Sequence, residues 1–447
     1  MKGSDFVKIA FIRPSMFGET SKDAMMPIVF SIIKPLTPAD VEIFFYDERI
    51  EQIPELNVDV VAMSVETFSA KRAYRLTEKY KKEGKKVIMG GFHPTMLPNE
   101  CLKYGADSVI VGEAEDTWIQ VIEDLKKKKL QKKYVSKNNC NMRNIEYDYS
   151  IFDGKKYNNI GLVQFSRGCK FNCDFCSIHA FYKNSIRTRS IEDIIVEIKN
   201  IKQKNIFFID DNLFSDETKA KELFEALIPL KKRWFCQISI DIAKNKNLLK
   251  LMKKSGCLLV LIGFESLNIE NLKQMGKGAN IQSKDYKKVI KNVYDTGIMI
   301  YGTFVVGYDF DTKDSVKELV KFAIENKFAV ANFNPLMPMP GTALYDRLKK
   351  EKKLTFDDWW INDNYRYGDA MLIPKSMTPE ELKDACKEAR YTFNSYKNIF
   401  KRLMNLKANS RSFINAVLFL TVNIISRKEI MTKQGRKLGG SDEININ

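Results

Sequence analysis

Two series of short apolar segments, each alternating with helix-like stretches, confine this chain to parallel α/β architecture. The first series runs through residues 7–12, 41–46, 58–64, 86–89 and 108–111, with a helical pattern over 70–83. The second runs through 160–165, 206–209, 236–240, 258–263, 299–306 and 329–334, with helices over 190–203 and 217–230. The first series predicts a Rossmann-like doubly wound sheet. The second predicts a partial (β/α)6 barrel, part of the eight-fold plan. Between them stand lysines at 126–129 and 132–133 and a polar stretch over 136–143, the composition of a solvated connector. The expected organisation is a first domain over 1–135, a linker over 136–155, a barrel over 156–350 and a mainly helical C-terminal domain over 351–447.

Ligands of such sheets bind at the carboxyl ends of the strands, and the polar and glycine residues fall there. In the first series these are Ser64 and Thr67, then Gly90, Gly91, His93, Pro94 and Thr95, then Gly112 and Glu113. In the second, the first strand runs into Ser166-Arg167-Gly168-Cys169-Lys170-Phe171-Asn172-Cys173-Asp174-Phe175-Cys176, a C-x3-C-x2-C loop. Three thiolates on a short loop can hold three irons of a cubane [4Fe–4S] cluster, leaving the fourth iron open to a small chelating molecule. A zinc site or a redox dithiol are the alternatives. A closed zinc site needs a fourth ligand, and the only nearby histidine is His179. Asp210-Asp211-Asn212 follows the second strand, either as acceptors for an ammonium group or as a helix cap and turn. On the third strand Gln237, Ser239 and Asp241 alternate, which places them on one face. The fourth strand ends Gly263-Phe264-Glu265-Ser266 and the fifth Gly302-Thr303-Phe304-Val305-Val306-Gly307-Tyr308; Pro338-Met339-Pro340-Gly341-Thr342 follows the sixth.

The cysteine loop, with aromatic Phe175 before its last cysteine, resembles the signature of the radical S-adenosylmethionine (radical SAM) family. The resemblance implies that Cys169, Cys173 and Cys176 ligate the cluster. It also implies that the open iron takes the amino and carboxylate groups of SAM, which an electron cleaves to a 5′-deoxyadenosyl radical. It further implies SAM contacts from Phe175, Asp210, Asp211, Asn212, Gln237, Ser239, Glu265, Ser266, Gly307 and Tyr308. The first series looks like the cobalamin-binding half of the B12-dependent members, through Met89-Gly90-Gly91-Phe92-His93-Pro94-Thr95 and Val111-Gly112-Glu113-Ala114-Glu115. On that resemblance Ser64, Thr67, Gly90, Gly91, His93, Pro94, Thr95, Gly112 and Glu113 line a cobalamin site. The Asp-x-His-x-x-Gly signature of a cobalt-ligating histidine is absent, as is usual in the radical SAM branch. The competing reading is a corrinoid-free domain that binds substrate or a partner.

The resemblance implies an enzyme that methylates an unactivated carbon, less often phosphorus. Radical cyclisation, rearrangement or coupling without methyl transfer is the alternative. The partners implied are a small-molecule or lipid-like substrate and an external electron donor of the flavodoxin or ferredoxin type. Eight cysteines, three of them clustered, suit a reducing setting better than a disulfide framework. Cys101, Cys140, Cys236, Cys257 and Cys386 are scattered and predict no auxiliary cluster.

No signal core precedes the first strand, and no run reaches the roughly 20 apolar residues of a membrane span. A cytoplasmic protein is expected. The net charge of +17 permits attraction to anionic lipid, nucleic acid or an acidic carrier without choosing among them. No base-stacking platform is visible, so nucleic acid is not an expected partner. Residues 354–367, with Trp359 and Trp360, are read as a cap over the barrel mouth or as core beneath it. Thr378-Pro379-Glu380-Glu381 opens a helix. The apolar run over 413–425, interrupted by Asn415, Thr421 and Asn423 and flanked by Arg411, Arg427 and Lys428, is either a docked helix or one lying on a membrane surface. With the overall charge, it makes peripheral membrane association part of the expectation. Residues 439–447 are expected to be a disordered tail.

Overall fold

Parallel sheets covered on both faces need strands that are apolar on both faces, and Ile9 to Ile12 meet that demand at no more than 1% exposure. The structure, a computed structural model, describes residues 7–21, 23–137, 140–183, 185–283 and 285–440. The chain forms two compact units. One takes the chain up to Asn158 together with Asp358–Arg366 and the segment from Arg436 onward; the other takes Asn159–Asp357 and Tyr367–Gly435.

The first unit is a six-stranded parallel sheet of β1 (Val7–Arg13), β2 (Val41–Asp47), β3 (Val60–Ser64), β4 (Lys86–Gly90), β5 (Ser108–Val111) and β6 (Lys133–Val135), ordered β2-β1-β3-β4-β5-β6. The order reverses between β1 and β3, which makes their carboxyl ends the ligand crevice of a doubly wound sheet. The helices Val29–Leu36, Ala70–Lys82 and Trp118–Lys126 complete the unit. Phe11, Phe30, Phe45 and Trp118 form one aromatic core, with successive ring centroids 5.0–5.5 Å apart.

Four expectations change here. Strand β6 arises inside the lysine-rich stretch, because Tyr134 turns inward at 5% exposure and donates to Asp124 Oδ2 at 2.8 Å. The expected linker is not a solvated connector either. Its 3-10 turn Tyr149–Phe152 buries Phe152 against Phe45 (5.4 Å) and Tyr157 (5.8 Å). Trp359 and Trp360, expected as a cap or as core of the barrel, belong to the first unit. They pack in the first unit at 0% exposure, Trp359 against Phe68 (4.8 Å) and Trp360 donating to Glu100 Oε1 (2.9 Å). Of the expected tail, Gly439 donates to Met16 O at 2.8 Å and Arg75 Nη1 reaches Gly440 O at 2.6 Å, so both are held; 441–447 lie outside the described residues.

The second unit is a six-stranded parallel sheet of β7 (Gly161–Val163), β10 (Asn205–Phe208), β11 (Arg233–Ile238), β12 (Cys257–Glu265), β13 (Met299–Val306) and β14 (Val330–Pro335), in consecutive order. A short antiparallel ribbon joins β8 (Ser166–Arg167) to β9 (Arg187–Thr188). Helices lie between successive strands, and side chains cap their starts: Ser190, Asp216, Asn245, Asp285 and Thr312 each accept a backbone N–H at 3.1 Å. The third strand begins and ends earlier than expected. A 3-10 turn over Ile240–Lys244 takes Asp241 out of the alternation with Gln237 and Ser239.

The C-terminal helices Pro379–Phe393, Tyr396–Leu403 and Phe413–Lys433 belong to this unit rather than to a domain of their own. Thr378 and Glu381 close a capping box at the start of the first helix, at 3.1 and 2.8 Å. No helix among the described residues is long and apolar enough to cross a membrane.

Since Phe152 is core, Phe152→Ala should lower the stability of the first unit by about 3–5 kcal/mol. A solvated connector would tolerate the change within about 0.5 kcal/mol. Thermal or urea unfolding followed by circular dichroism distinguishes these outcomes.

Candidate active site

The cysteine loop leaves the sheet at the carboxyl end of β7, and the next strand's end holds it there. Asp210, following β10, accepts the Phe165 N–H at 3.1 Å and both the N–H and the hydroxyl of Ser166. Burial pushes its carboxyl up to about 7, and these donors work against that shift. Asp211 accepts the Gly168 N–H at 3.3 Å, and its carboxyl is likewise raised by burial, to about 6. Arg167 is buried and donates to Gln164 Oε1 at 3.0 Å. Gly168 sits at φ +88°, and a Cβ there would lie 1.9 Å from Ser185 O, so only glycine lets the loop turn.

Inside the loop, Asp174 is held from several sides. Its N–H donates to Met275 O at 3.2 Å and its carbonyl accepts from Leu344 N at 2.9 Å. Its carboxylate accepts from the Tyr308 hydroxyl at 2.5 Å and lies 3.4 Å from Arg347.

The loop forms one wall of a cavity of about 370 Å3. Cys169, Cys173, Cys176 and Phe175 line it, opposite Asp211, Asn212, Gln237, Ser239 and Glu265 from the ends of three strands. Among the described residues no three Cys, His, Asp or Glu side chains converge closely enough for a single metal ion. Three thiols lining one cavity can hold three irons of a cubane cluster. Burial raises the Cys173 thiol to about 11 and also raises Cys176. Asn212 Nδ2 approaches Cys169 Sγ at 3.8 Å. The Ser239 hydroxyl is buried against the cavity with no partner, a polar atom suited to a ligand.

Glu265 closes the cavity in an unusual backbone state. It is a non-glycine residue at φ +63°, beside a register shift between β12 and β13. Such a conformation costs on the order of 1–3 kcal/mol and marks functional positions. Its carboxylate pairs with Lys277 at 2.8 Å, and the ammonium lies 5.6 Å from the Phe175 ring centre. Burial works against the Lys277 charge, yet Glu265 and the Cys173 and Cys176 thiols push the ammonium above the ordinary lysine range.

The structure divides the expected SAM set. Phe175, Asp211, Asn212, Gln237, Ser239 and Glu265 line the cavity. Asp210 faces backbone amides. The Ser266 hydroxyl accepts from Asn268 N at 3.1 Å. Gly307 N and Tyr308 N donate to Asp311 Oδ2 at 2.8 and 3.0 Å, closing their own turn, and the Tyr308 hydroxyl goes to Asp174 of the cysteine loop. Sequence reasoning missed Lys277, whose Met275-Gly276-Lys277-Gly278 setting is undistinguished among 73 lysines and arginines.

In the first unit, Ser64 ends β3 and Thr67 follows it, fully buried with its hydroxyl unpartnered. Gly91 sits at φ +107°, where a Cβ would lie 2.9 Å from Val65 O, next to Gly90 at the end of β4. Thr95 donates to Gly91 O (2.8 Å) and accepts from Gly112 N (2.9 Å), tying the β4 and β5 ends together. At Gly91 and Gly112 the space of a side chain is taken by Val65 and Ser136, so these glycines serve the turns themselves, and the Thr67 hydroxyl is the polar atom left for a ligand.

His93 departs from its expected place. It is 0% exposed, with Nε2 2.9 Å from the Tyr74 hydroxyl and 3.1 Å from Glu100, inside the unit rather than lining a crevice. Pro94 is buried beside it, and Glu113 accepts from Cys140 N at 3.0 Å. Beside the crevice, Arg13 pairs with Glu66 at 2.6 Å and holds that carboxyl below its ordinary range.

Residues 163–323 match the model of the Radical SAM superfamily, and residues 30–122 match that of the B12 binding domain. The chain is 30% identical over 407 residues to bacteriochlorophyllide d C-12(1)-methyltransferase of Chlorobaculum tepidum, covering 88% of each chain. It belongs to the radical SAM family with a B12-binding domain. Its cofactors are therefore a [4Fe–4S] cluster, SAM and cobalamin. A second Chlorobaculum tepidum relative, bacteriochlorophyllide d C-8(2)-methyltransferase, is 26% identical over 427 residues, 90% of this chain and 92% of that one. Among solved structures, TsrM of Kitasatospora setae shares the fold of this radical SAM enzyme at TM-score 0.61 and 12% identity, over 77% of this chain and 75% of that one.

Lys277→Met leaves the buried Glu265 carboxylate unpaired and should cost about 3–5 kcal/mol. Lys277→Arg should recover most of it. Paired thermal melts of the two variants measure the difference.

Proposed function

We propose that this enzyme methylates an unactivated carbon of an apolar small molecule, a tetrapyrrole being the first candidate. Similarity along nearly the whole chain to a methyltransferase, spanning both the B12-binding and the radical SAM segments, carries the reading. The substrate class follows from the two Chlorobaculum tepidum relatives, both named for a bacteriochlorophyllide. An apolar substrate partitions into membranes, so peripheral contact with a membrane surface belongs to the same reading.

In this reading Cys169, Cys173 and Cys176 hold the cluster, and the buried Lys277 ammonium offsets the negative charge that three thiolates bring to one wall. Asn212, Gln237, Ser239 and Glu265 supply polar atoms that orient SAM, with Phe175 and Asp211 completing the wall. Ser64 and Thr67, with its unpartnered hydroxyl, meet the corrinoid at the strand ends, where Gly90, Gly91 and Gly112 shape the turns and Thr95 fixes them. When bound, the cluster supplies the electron that opens SAM and the corrinoid supplies the methyl group. The protein's share is to orient the cofactors and exclude water. An external donor of the flavodoxin or ferredoxin type delivers the electron.

Reconstituted protein should carry about four irons per chain, and the triple Cys169→Ala, Cys173→Ala, Cys176→Ala variant should lose them together with SAM cleavage. Protein loaded with cobalamin and given methyl-labelled SAM should place the label on a carbon of a tetrapyrrole substrate. Product formed without label would overturn methyl transfer in favour of a radical rearrangement or coupling.

A further inference from the structure

The C-terminal helix Phe413–Lys433 is packed with its polarity reversed. The side chains it turns inward include Asn415, Asn423 and a single large apolar group, Phe419, all at most 3% exposed. Asn423 Nδ2 donates to Ala329 O at 3.0 Å, and Asn415 Nδ2 to Ala408 O at 2.7 Å. Arg402, fully buried on the neighbouring helix, donates to Phe328 O (3.0 Å), Ala329 O (2.8 Å) and Asn423 Oδ1 (2.8 Å) and lies 3.7 Å over the Phe393 ring. The carbonyls at the start of edge strand β14 are thus satisfied by amides and a guanidinium. A soluble helix normally does the opposite, burying its apolar stripe and exposing its polar one.

The outward face of the same helix is apolar. Phe413, Val417, Leu420 and Ile424 follow one another at helical spacing with exposures of 84%, 45%, 38% and 59%, and Ile414 and Ile425 flank them. Tyr396, Phe400, Met404 and Leu406, on the preceding helix and turn, are 51–71% exposed. Half of all the exposed large apolar side chains among the described residues fall between 396 and 425. Exposed Lys397, Lys401, Arg411 and Lys428 lie within and beside this segment, Lys407 pairs with Asp295 at 2.8 Å, and no acidic residue occurs between 396 and 428. An exposed apolar patch of this kind marks an interaction surface. The basic residues, with the net charge of +17, choose an anionic partner.

We propose that residues 396–428 form a monotopic docking surface for an anionic lipid bilayer, with Phe413, Val417, Leu420 and Ile424 entering the headgroup–acyl boundary and the lysines and arginines meeting lipid phosphates. The proposal deepens the membrane contact stated above and rests on it, but not on methyl transfer. The inward amides and Arg402 hold the helix to the barrel edge and leave its apolar side for the membrane.

Full-length protein, reconstituted with iron, is floated with vesicles of phosphatidylcholine alone or mixed with phosphatidylglycerol, at low and high salt. It should float with the anionic vesicles at low salt, weaken at least tenfold at high salt, and ignore neutral ones. The exposed double substitution Phe413→Ser, Ile424→Ser should reduce flotation at least tenfold while iron content and SAM cleavage stay unchanged. Failure of the wild type to bind anionic vesicles overturns the proposal. So does a patch that instead holds two copies together, seen as a dimer in sedimentation that the double substitution converts to monomer without vesicle binding. Retained SAM cleavage without labelled methyl transfer counts against the reaction proposed above and leaves the docking result standing.

Discussion

The active site depends on two adjacent carboxylates that accept backbone amides across a strand boundary. A cysteine loop with no cluster has few interactions of its own to define its course. Asp210 and Asp211 provide them, taking the N–H groups of Phe165, Ser166 and Gly168 from the end of the neighbouring strand. The parallel sheet makes this available, because β7 and β10 pair in register and their carboxyl ends leave the sheet side by side. Carboxylate acceptors make stronger hydrogen bonds than neutral ones, and burial keeps water from competing for these amides. Asp174, anchored by Tyr308 and Arg347, fixes the far side of the loop in the same currency of buried carboxylate and donor.

That support explains which parts of the site were legible in the sequence. The strand series could be read because strands of a covered parallel sheet are apolar throughout. The cysteine spacing could be read because ligand geometry constrains neighbours along the chain. What spacing cannot tell is which way adjacent polar residues turn. Asp210 turns to backbone and Asp211 to the cavity; Glu265 lines it while Ser266 caps a turn. Tyr308 carries a motif position but lends its hydroxyl to the loop rather than to the cavity. Local composition misled at β6 and Phe152, where one inward aromatic outweighs its lysine-rich or polar surroundings. Trp359 and Trp360 were unreadable for another reason: their partners Phe68 and Glu100 are far away in the chain.

Glu265 and Lys277 show how strain and charge are balanced at one point. The left-handed backbone at Glu265 brings its carboxylate to the cavity, and the ion pair with Lys277 holds it there. The same ammonium faces two thiols of the cysteine loop. One lysine therefore pairs with Glu265 and faces the cysteine loop at once, and the ion pair offsets what partial burial costs its charge. Nothing local distinguishes this lysine in a lysine-rich chain; only the fold brings it to the cysteines.

The C-terminal helix carries the same logic to the surface. A buried guanidinium whose partners are carbonyls and an amide is costly, and burial pushes Arg402 down to about 9. Three carbonyls and the Asn423 amide oxygen meet its two Nη groups, while Nε has no partner. With Asn415, Phe419 and Asn423 occupying the inward face, Phe413, Val417, Leu420 and Ile424 turn outward. Burying them against the barrel would displace Asn423, whose amide satisfies Ala329 O together with Arg402. In water that arrangement leaves apolar area exposed, and at a bilayer boundary the same area becomes the favourable term. The reversed helix is therefore a consequence of how β14 is closed, and its outer face suits a medium other than water.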